Sequence, residues 1–278
     1  MGLLHVDTQV RQDGERLVAD VSRDWEVWGP NGGYLSAIAL RAAGMLAPTG
    51  HRPGSLSVQY VSVGGFGAVD CRVTPVKQGR SAWLMNVELI QEDKVFLQAQ
   101  VWSVARDGGP CTAEAVMPDA PPPSALKTFR QHVVEHYGDA APEPHVFWSN
   151  IDVKPLSWQP FEAARIARPA TLVEWFRFPG FDPGEDDFAA FAPAVVLIDT
   201  LLWPTHHRGR AEAPDYIAPS LDLAIWFHEP PLGAEWLLLD AVSDVARAGL
   251  IHGRSRLWTE DCRLVATGGS NLIHTPKR

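Results

Sequence analysis

Pro219-Ser220-Leu221-Asp222-Leu223 is a weakened copy of Gly54-Ser55-Leu56-Ser57-Val58, and 165 residues separate Ser55 from Ser220. Two further pairs follow in the same order. Gly67-Ala68-Val69 matches Gly233-Ala234-Glu235 at an offset of 166, and Glu92-Asp93-Lys94-Val95 matches Glu260-Asp261-Cys262-Arg263 at 168. Three ordered matches with so little drift imply that one structural unit has been duplicated. A chain of 278 residues is long enough to build two such cores.

Around the first copy, Leu35, Ile38, Ala39, Ala42 and Leu46 fall at helical spacing behind Asn31, a residue type suited to capping a helix start. Runs rich in β-branched and aromatic residues follow at 56–63, 68–76, 81–92 and 94–104, separated by Gly and Pro turns. One helix followed by four sequential strands reads as an α+β unit, an antiparallel sheet packed on a helix. From 106 to 124 the composition turns to Gly and Pro, which marks a linker, and a short helix is expected over 125–136. The second half opens with strand candidates at 146–153 and 171–178, followed by the apolar run AFAPAVVLIDTLLWP at 190–204. The expected division is a first unit at 1–118, a linker with its helix at 119–144, and a second unit at 145–278.

The formal net charge of −9 disfavours a nucleic-acid partner, which needs a clustered basic surface. An anionic ligand would have to meet local cations, for which Arg52, Lys77, Arg80, Arg247 and Arg254 are candidates. Cys71, Cys111 and Cys262 are odd in number and far apart, giving neither a disulfide framework nor metal-ligand spacing. They fit a reducing, cytoplasmic location. The N-terminus lacks a basic segment followed by an apolar one, and the apolar stretch 189–204 is interrupted by Pro193 and Asp199, so no membrane segment is expected. His206-His207 has no acid or cysteine at ligand spacing, which leaves no metal site to propose. No G-x-S-x-G elbow, P-loop or dinucleotide fingerprint is present, so no serine-hydrolase elbow and no cofactor are expected.

Asp199 sits among Val195, Val196, Leu197, Ile198, Leu201 and Leu202. A carboxyl there is costly to bury unless paired or protonated, and low polarity raises its pKa toward the range of a general base. The same residue would serve equally as a helix cap. Ser220 offers a hydroxyl that donates and accepts, although a turn after Pro219 also suits serine. Asn31-Gly32-Gly33 opens a helix, where free N–H groups and the positive dipole end suit a developing oxyanion, and an ordinary capped turn has the same pattern.

NGGYLSAIALRAA (31–43), QGRSAWLMNVELIQEDKVFLQAQ (78–100), EWFRF (174–178), VVLIDTLL (195–202), PSLDLAIWFHEPP (219–231), EWLLLDAVSDVARAG (235–249) and LWTEDCRLVAT (257–267) together resemble the acyl-CoA thioesterase II family. That resemblance implies a double hot-dog fold, two tandem units each with an antiparallel sheet wrapped around a central helix, and a homodimer of such chains. It also implies hydrolysis of an acyl-CoA by water, held and activated by an Asp, a Ser or Thr, and a Gln. Carried onto this sequence, the acid falls on Asp199 and the hydroxyl on Ser220. The Gln position is occupied by Ser270 in LVATGGSNLI (264–273), so Ser270 or the adjacent Asn271 would have to supply that polar group. Asn31, Gly32, Gly33 and Tyr34 are the expected substrate-binding segment. Ser55 would face Tyr34 rather than an acid, so one competent site per chain is expected. The alternatives are a protein of the same fold that binds acyl-CoA or a lipid-like ligand without turnover, and a hot-dog hydratase, whose Asp/His signature is missing here.

Overall fold

The computed structural model describes residues 1–105 and 112–277. Cys111 and the first part of the expected linker, 106–111, lie outside the described residues. The first unit contributes strands β1 (Arg11–Asp13), β2 (Arg16–Val21), β3 (His51–Tyr60), β4 (Gly67–Gln78), β5 (Ala82–Gln91) and β6 (Lys94–Ala105). The second contributes β7 (Asp152–Pro155), β8 (Thr171–Arg177), β9 (Tyr216–Ile217), β10 (Asp222–Phe227), β11 (Leu237–Arg247), β12 (Leu250–Thr259), β13 (Leu264–Ile273) and β14 (Thr275–Pro276). Short β9 and β14 pair with each other. The other twelve form one sheet in the order β1-β2-β4-β5-β6-β3-β10-β13-β12-β11-β8-β7.

Read inward from either edge, this order repeats. β1-β2-β4-β5-β6-β3 corresponds to β7-β8-β11-β12-β13-β10, and the two sets meet where β3 runs antiparallel to β10, with Ser57 opposite Ala224. The duplication extends to the irregularities. Register shifts follow Pro75 in the β4–β5 ladder and Ser243 in the β11–β12 ladder, and also Leu89 in β5–β6 and Leu257 in β12–β13. Both pairs, 75 to 243 and 89 to 257, are 168 residues apart. A bulge bends the strand that carries it, so each half of the sheet curls at matching places. Gly67 and Gly233, matched in the sequence, both hold positive φ (97° and 78°), a conformation open to glycine without strain.

The curled sheet encloses helices. α1 (Leu4–Asp7) and α2 (Gly32–Gly44) belong to the first unit, α3 (Phe129–Tyr137) to the linker, and α4 (Asp187–Ala190), α5 (Ala192–Thr200) and α6 (Leu202–Arg208) to the second. Asn31 caps α2 as expected: its Oδ1 accepts from the Tyr34 N–H at 2.8 Å, which is worth about 1 kcal/mol. Every residue of α2 from Gly33 to Leu40 is buried, as is every residue of α5 from Ala192 to Asp199. Helices buried all round are core helices. They pack on each other at Gly33, where a Cβ would stand 2.8 Å from Val196 Cα. Their contact merges both units into one continuous core.

Two expectations are corrected here. The helical run Asp187–Arg208 is long and apolar enough by length and composition to cross a bilayer, contrary to the reading of 189–204. However, 83% of its most apolar window is buried inside the molecule, where the sheet takes the place of lipid. The linker helix starts at Phe129 rather than 125, because Thr128 and Gln131 form a reciprocal capping box there. Before it the chain is strapped to the second unit: Trp175 Nε1 donates to Pro121 O at 2.9 Å, and Lys154 Nζ to Pro123 O at 2.6 Å. Met117, Ala120 and Leu126 thereby cover a second small core of Trp175, Trp236, Leu238 and Trp258.

Candidate active site

Asp199 lies in the last turn of α5, only 5% exposed. Its Oδ1 accepts a hydrogen bond from the Tyr60 hydroxyl at 3.0 Å. The Ser220 hydroxyl and the Gly33 backbone N–H also lie close enough to favour its charged form. Oδ2 faces the start of α2, where a Cβ at Gly32 would stand 2.9 Å away. Burial pushes the carboxyl from its ordinary 3.8 up to about 6, while Ser220, Tyr60 and Gly33 pull it back down. The result is an acid that is ionised at neutral pH and still basic enough to accept a proton.

Sequence reasoning missed Tyr60. It closes β3, and its backbone N–H donates to Leu221 O at 3.0 Å across the seam. Its hydroxyl also lies 2.9 Å from Ser36 Oγ of α2. Since Tyr60 gives its proton to Asp199, Ser36 is the donor in that second bond. Burial, and then the charge of Asp199, push the phenol pKa well above the usual value, so Tyr60 stays protonated and remains a donor. A faint signal existed: residue 60 ends the strand that carries Ser55, the counterpart of Ser220. Pairing the two copies antiparallel brings that strand end beside 221.

The structure brings together Asp199, Ser220, Gly32 and Gly33. Asn31 stands beside them with its side chain already engaged: Oδ1 caps α2, and Nδ2 donates to Thr200 Oγ1 at 2.9 Å, tying the start of α2 to the end of α5. Tyr34 points elsewhere. It is fully buried and stacked on Trp25 at 5.5 Å. Its hydroxyl donates to Asp7 O at 2.7 Å and accepts from the Ser22 N–H at 3.1 Å. Ser270 and Asn271 are engaged by Asp222. Ser270 Oγ donates to Asp222 O at 2.6 Å, and Asn271 donates to both carboxylate oxygens of Asp222, each at 2.8 Å. They fasten β10 to β13. Among the basic candidates, Arg254 is ion-paired with Asp244 at 3.1 Å, and Lys77 lies over the Trp102 ring.

A duplicated sheet wrapped on two touching core helices, with one buried carboxyl where they meet, defines a double hot-dog protein. The model of the acyl-CoA thioesterase N-terminal domain matches residues 21–104, and that of the C-terminal domain matches 112–269. The chain belongs to the acyl-CoA thioesterase family. It is 26% identical to human acyl-coenzyme A thioesterase 8 over 280 residues, an alignment covering 91% of this chain and 84% of that protein. The mouse protein of the same name gives 26% over 279 residues with the same coverage. Among solved structures, a hot-dog protein of unknown function from Alicyclobacillus acidocaldarius superposes with a TM-score of 0.79 at 21% identity. Acyl-CoA thioesterase II TesB2 from Mycobacterium marinum gives 0.76 at 20% identity. Each covers 99% of this chain and 98% of the other, and both share the fold.

Proposed function

We propose that this chain cleaves acyl-CoA thioesters with Asp199 as the general base. The observation that carries this reading is the burial of Asp199 among hydroxyl and amide donors from both units. Tyr60 is bonded to Oδ1, and Oδ2, which faces the start of α2, is the oxygen that takes the proton of the water. Glycine at 32 lets the start of α2 approach that oxygen and the Tyr60 ring closely, since a Cβ there would stand 2.9 Å from Oδ2. Gly32 is the first residue of α2, so its N–H has no partner within the helix and points, with the positive dipole end, at an incoming carbonyl oxygen.

Water attacks the thioester carbonyl carbon while Asp199 takes its proton. The carbonyl oxygen, now negative, accepts from the Gly32 N–H. The C–S bond then breaks and coenzyme A departs as a thiolate, which recovers the proton held by Asp199. Ser220 and Tyr60 keep the carboxylate aimed. Tyr60 supplies from the first unit the polar contact that the family's Gln would make, because Ser270, at that position, is held by Asp222.

Release of free thiol from a panel of acyl-CoAs tests this reading. The wild-type protein should turn over at least one of them, and Asp199→Ala should lose at least about a hundredfold in rate. Unchanged turnover in a folded Asp199→Ala protein would rule out the mechanism.

A further inference from the structure

A cavity of about 890 Å³ opens between α3, the edge strands β7 and β8, and α6. Asp199 is not among its lining residues. Its floor is apolar and buried: Val133, Ile151, Leu172, Phe176 and Leu201. Its mouth carries Arg165, Arg168 and Arg210. Among the described residues, none of these three is ion-paired, although Arg165 donates to the carbonyls of His207 and Arg210 and Arg168 to that of Arg208, and Arg168 feels the charges of Arg208, Arg165 and Glu174. Of the four acids in the lining, two are ion-paired and two are solvent-exposed. Glu174 pairs with Arg208 and Asp152 with Arg177, while Asp139 and Glu143 are exposed on the chain after α3.

Two buried donors in the lining have no partner. Arg165 donates to His207 Nδ1 at 3.3 Å, and a guanidinium has no acceptor, so Nδ1 is the bare nitrogen and Nε2 carries the hydrogen. That Nε2–H is buried and unmatched, as is the indole N–H of Trp158. Both donors are closed off from solvent, so recognition of charge at the mouth falls to the three guanidiniums. Cations above an apolar floor are complementary to one ligand chemistry.

We propose that this cavity binds an amphipathic anion, its charged oxygens on Arg165, Arg168 and Arg210 and its apolar body on the floor. Two sources supply that chemistry, a fatty carboxylate and the phosphorylated nucleotide end of coenzyme A. Naming these sources rests on the acyl-CoA reading, whereas the binding itself does not.

Calorimetry on the full chain with dodecanoate, adenosine 3′,5′-bisphosphate, dodecanol and inorganic phosphate tests the proposal. Dodecanoate or the bisphosphate should bind at least tenfold more tightly than dodecanol or phosphate, and whichever binds identifies the source. The double variant Arg168→Gln/Arg210→Gln should weaken that ligand at least tenfold. With dodecanoate as the ligand it should keep its thiol-release activity, with the bisphosphate it should raise KM at an unchanged kcat, and Asp199→Ala should keep its binding in either case, which separates this site from the catalytic reading. Failure of both anions to bind at millimolar concentration, or binding that is equal in wild type and the double variant, would overturn it.

Discussion

The two central helices occupy corresponding places in duplicated units, yet they bring different chemistry to their meeting point. α2 brings bare backbone, with glycines at 32 and 33 and amides facing outward from its start. α5 brings an acid in its final turn. In the repeat register, Tyr34 is the counterpart of Asp199 at the 165-residue offset, and its hydroxyl is engaged by Asp7 and Ser22 in the core of the first unit. The first unit has kept the frame and placed a hydrogen-bonded tyrosine where the second has a buried acid. Consequently the site is not duplicated along with the fold. It is assembled once, with Gly33, Ser36 and Tyr60 from one unit and Asp199 and Ser220 from the other.

That asymmetry is open to direct attack. The largest effect is expected at Asp199. Its folded pKa is raised from 3.8 to about 6, so its contribution to stability is fully present below pH 4 and is lost as pH rises through 6. Above that, the buried charge costs up to roughly 3 kcal/mol. Asp199→Asn should therefore melt higher than wild type at pH 7.5, coincide with it near pH 4, and show hydrolysis reduced at least about a hundredfold. Gly33→Ala comes next. The added methyl meets the α5 backbone rather than a movable side chain, and chemical denaturation should show a loss of about 2 kcal/mol. Tyr60→Phe removes one donor from the carboxylate. Rates near neutral pH should fall about tenfold, and the acid limb of the pH–rate profile should move upward from about 6, a shift that a packing defect alone would not produce. Tyr34→Phe should cost about 1 kcal/mol of stability and leave the pH profile in place, since its hydroxyl serves only the first core.

The duplication was legible because the residues that matched were those the backbone constrains. Gly67 and Gly233 hold positive φ, and the acidic pairs mark the β5–β6 and β12–β13 turns, where Asp93 and Cys262 are left-handed. The apolar neighbours of Asp199 pointed to its burial, but a helix cap suited the residue equally, and the family resemblance was needed to single it out. Tyr60 was not, because along β3 it reads as an ordinary strand residue. Its partner is 139 residues away and is reached only through the seam and the helix contact. The partners of Ser270 and Asn271 were hidden for a similar reason: position along β13 does not reveal that Asp222, at the start of the neighbouring strand, takes up both side chains. The late start of α3 was available in the sequence, since Thr128 and Gln131 have the spacing of a reciprocal cap, but the Pro-rich approach obscured it.

The seam between β3 and β10 has a further consequence. In a pair of separate, identical chains, any substitution appears on both sides of such a junction at once. Joining the halves in one polypeptide holds them at high effective concentration and lets each side change alone. One half is then free to become a scaffold that presents amides and a phenol, while the other specialises as the acid. By the same token, neither half expressed by itself contains a working set of groups, and cutting the chain in the linker should preserve turnover only while the two pieces stay zipped along that single ladder.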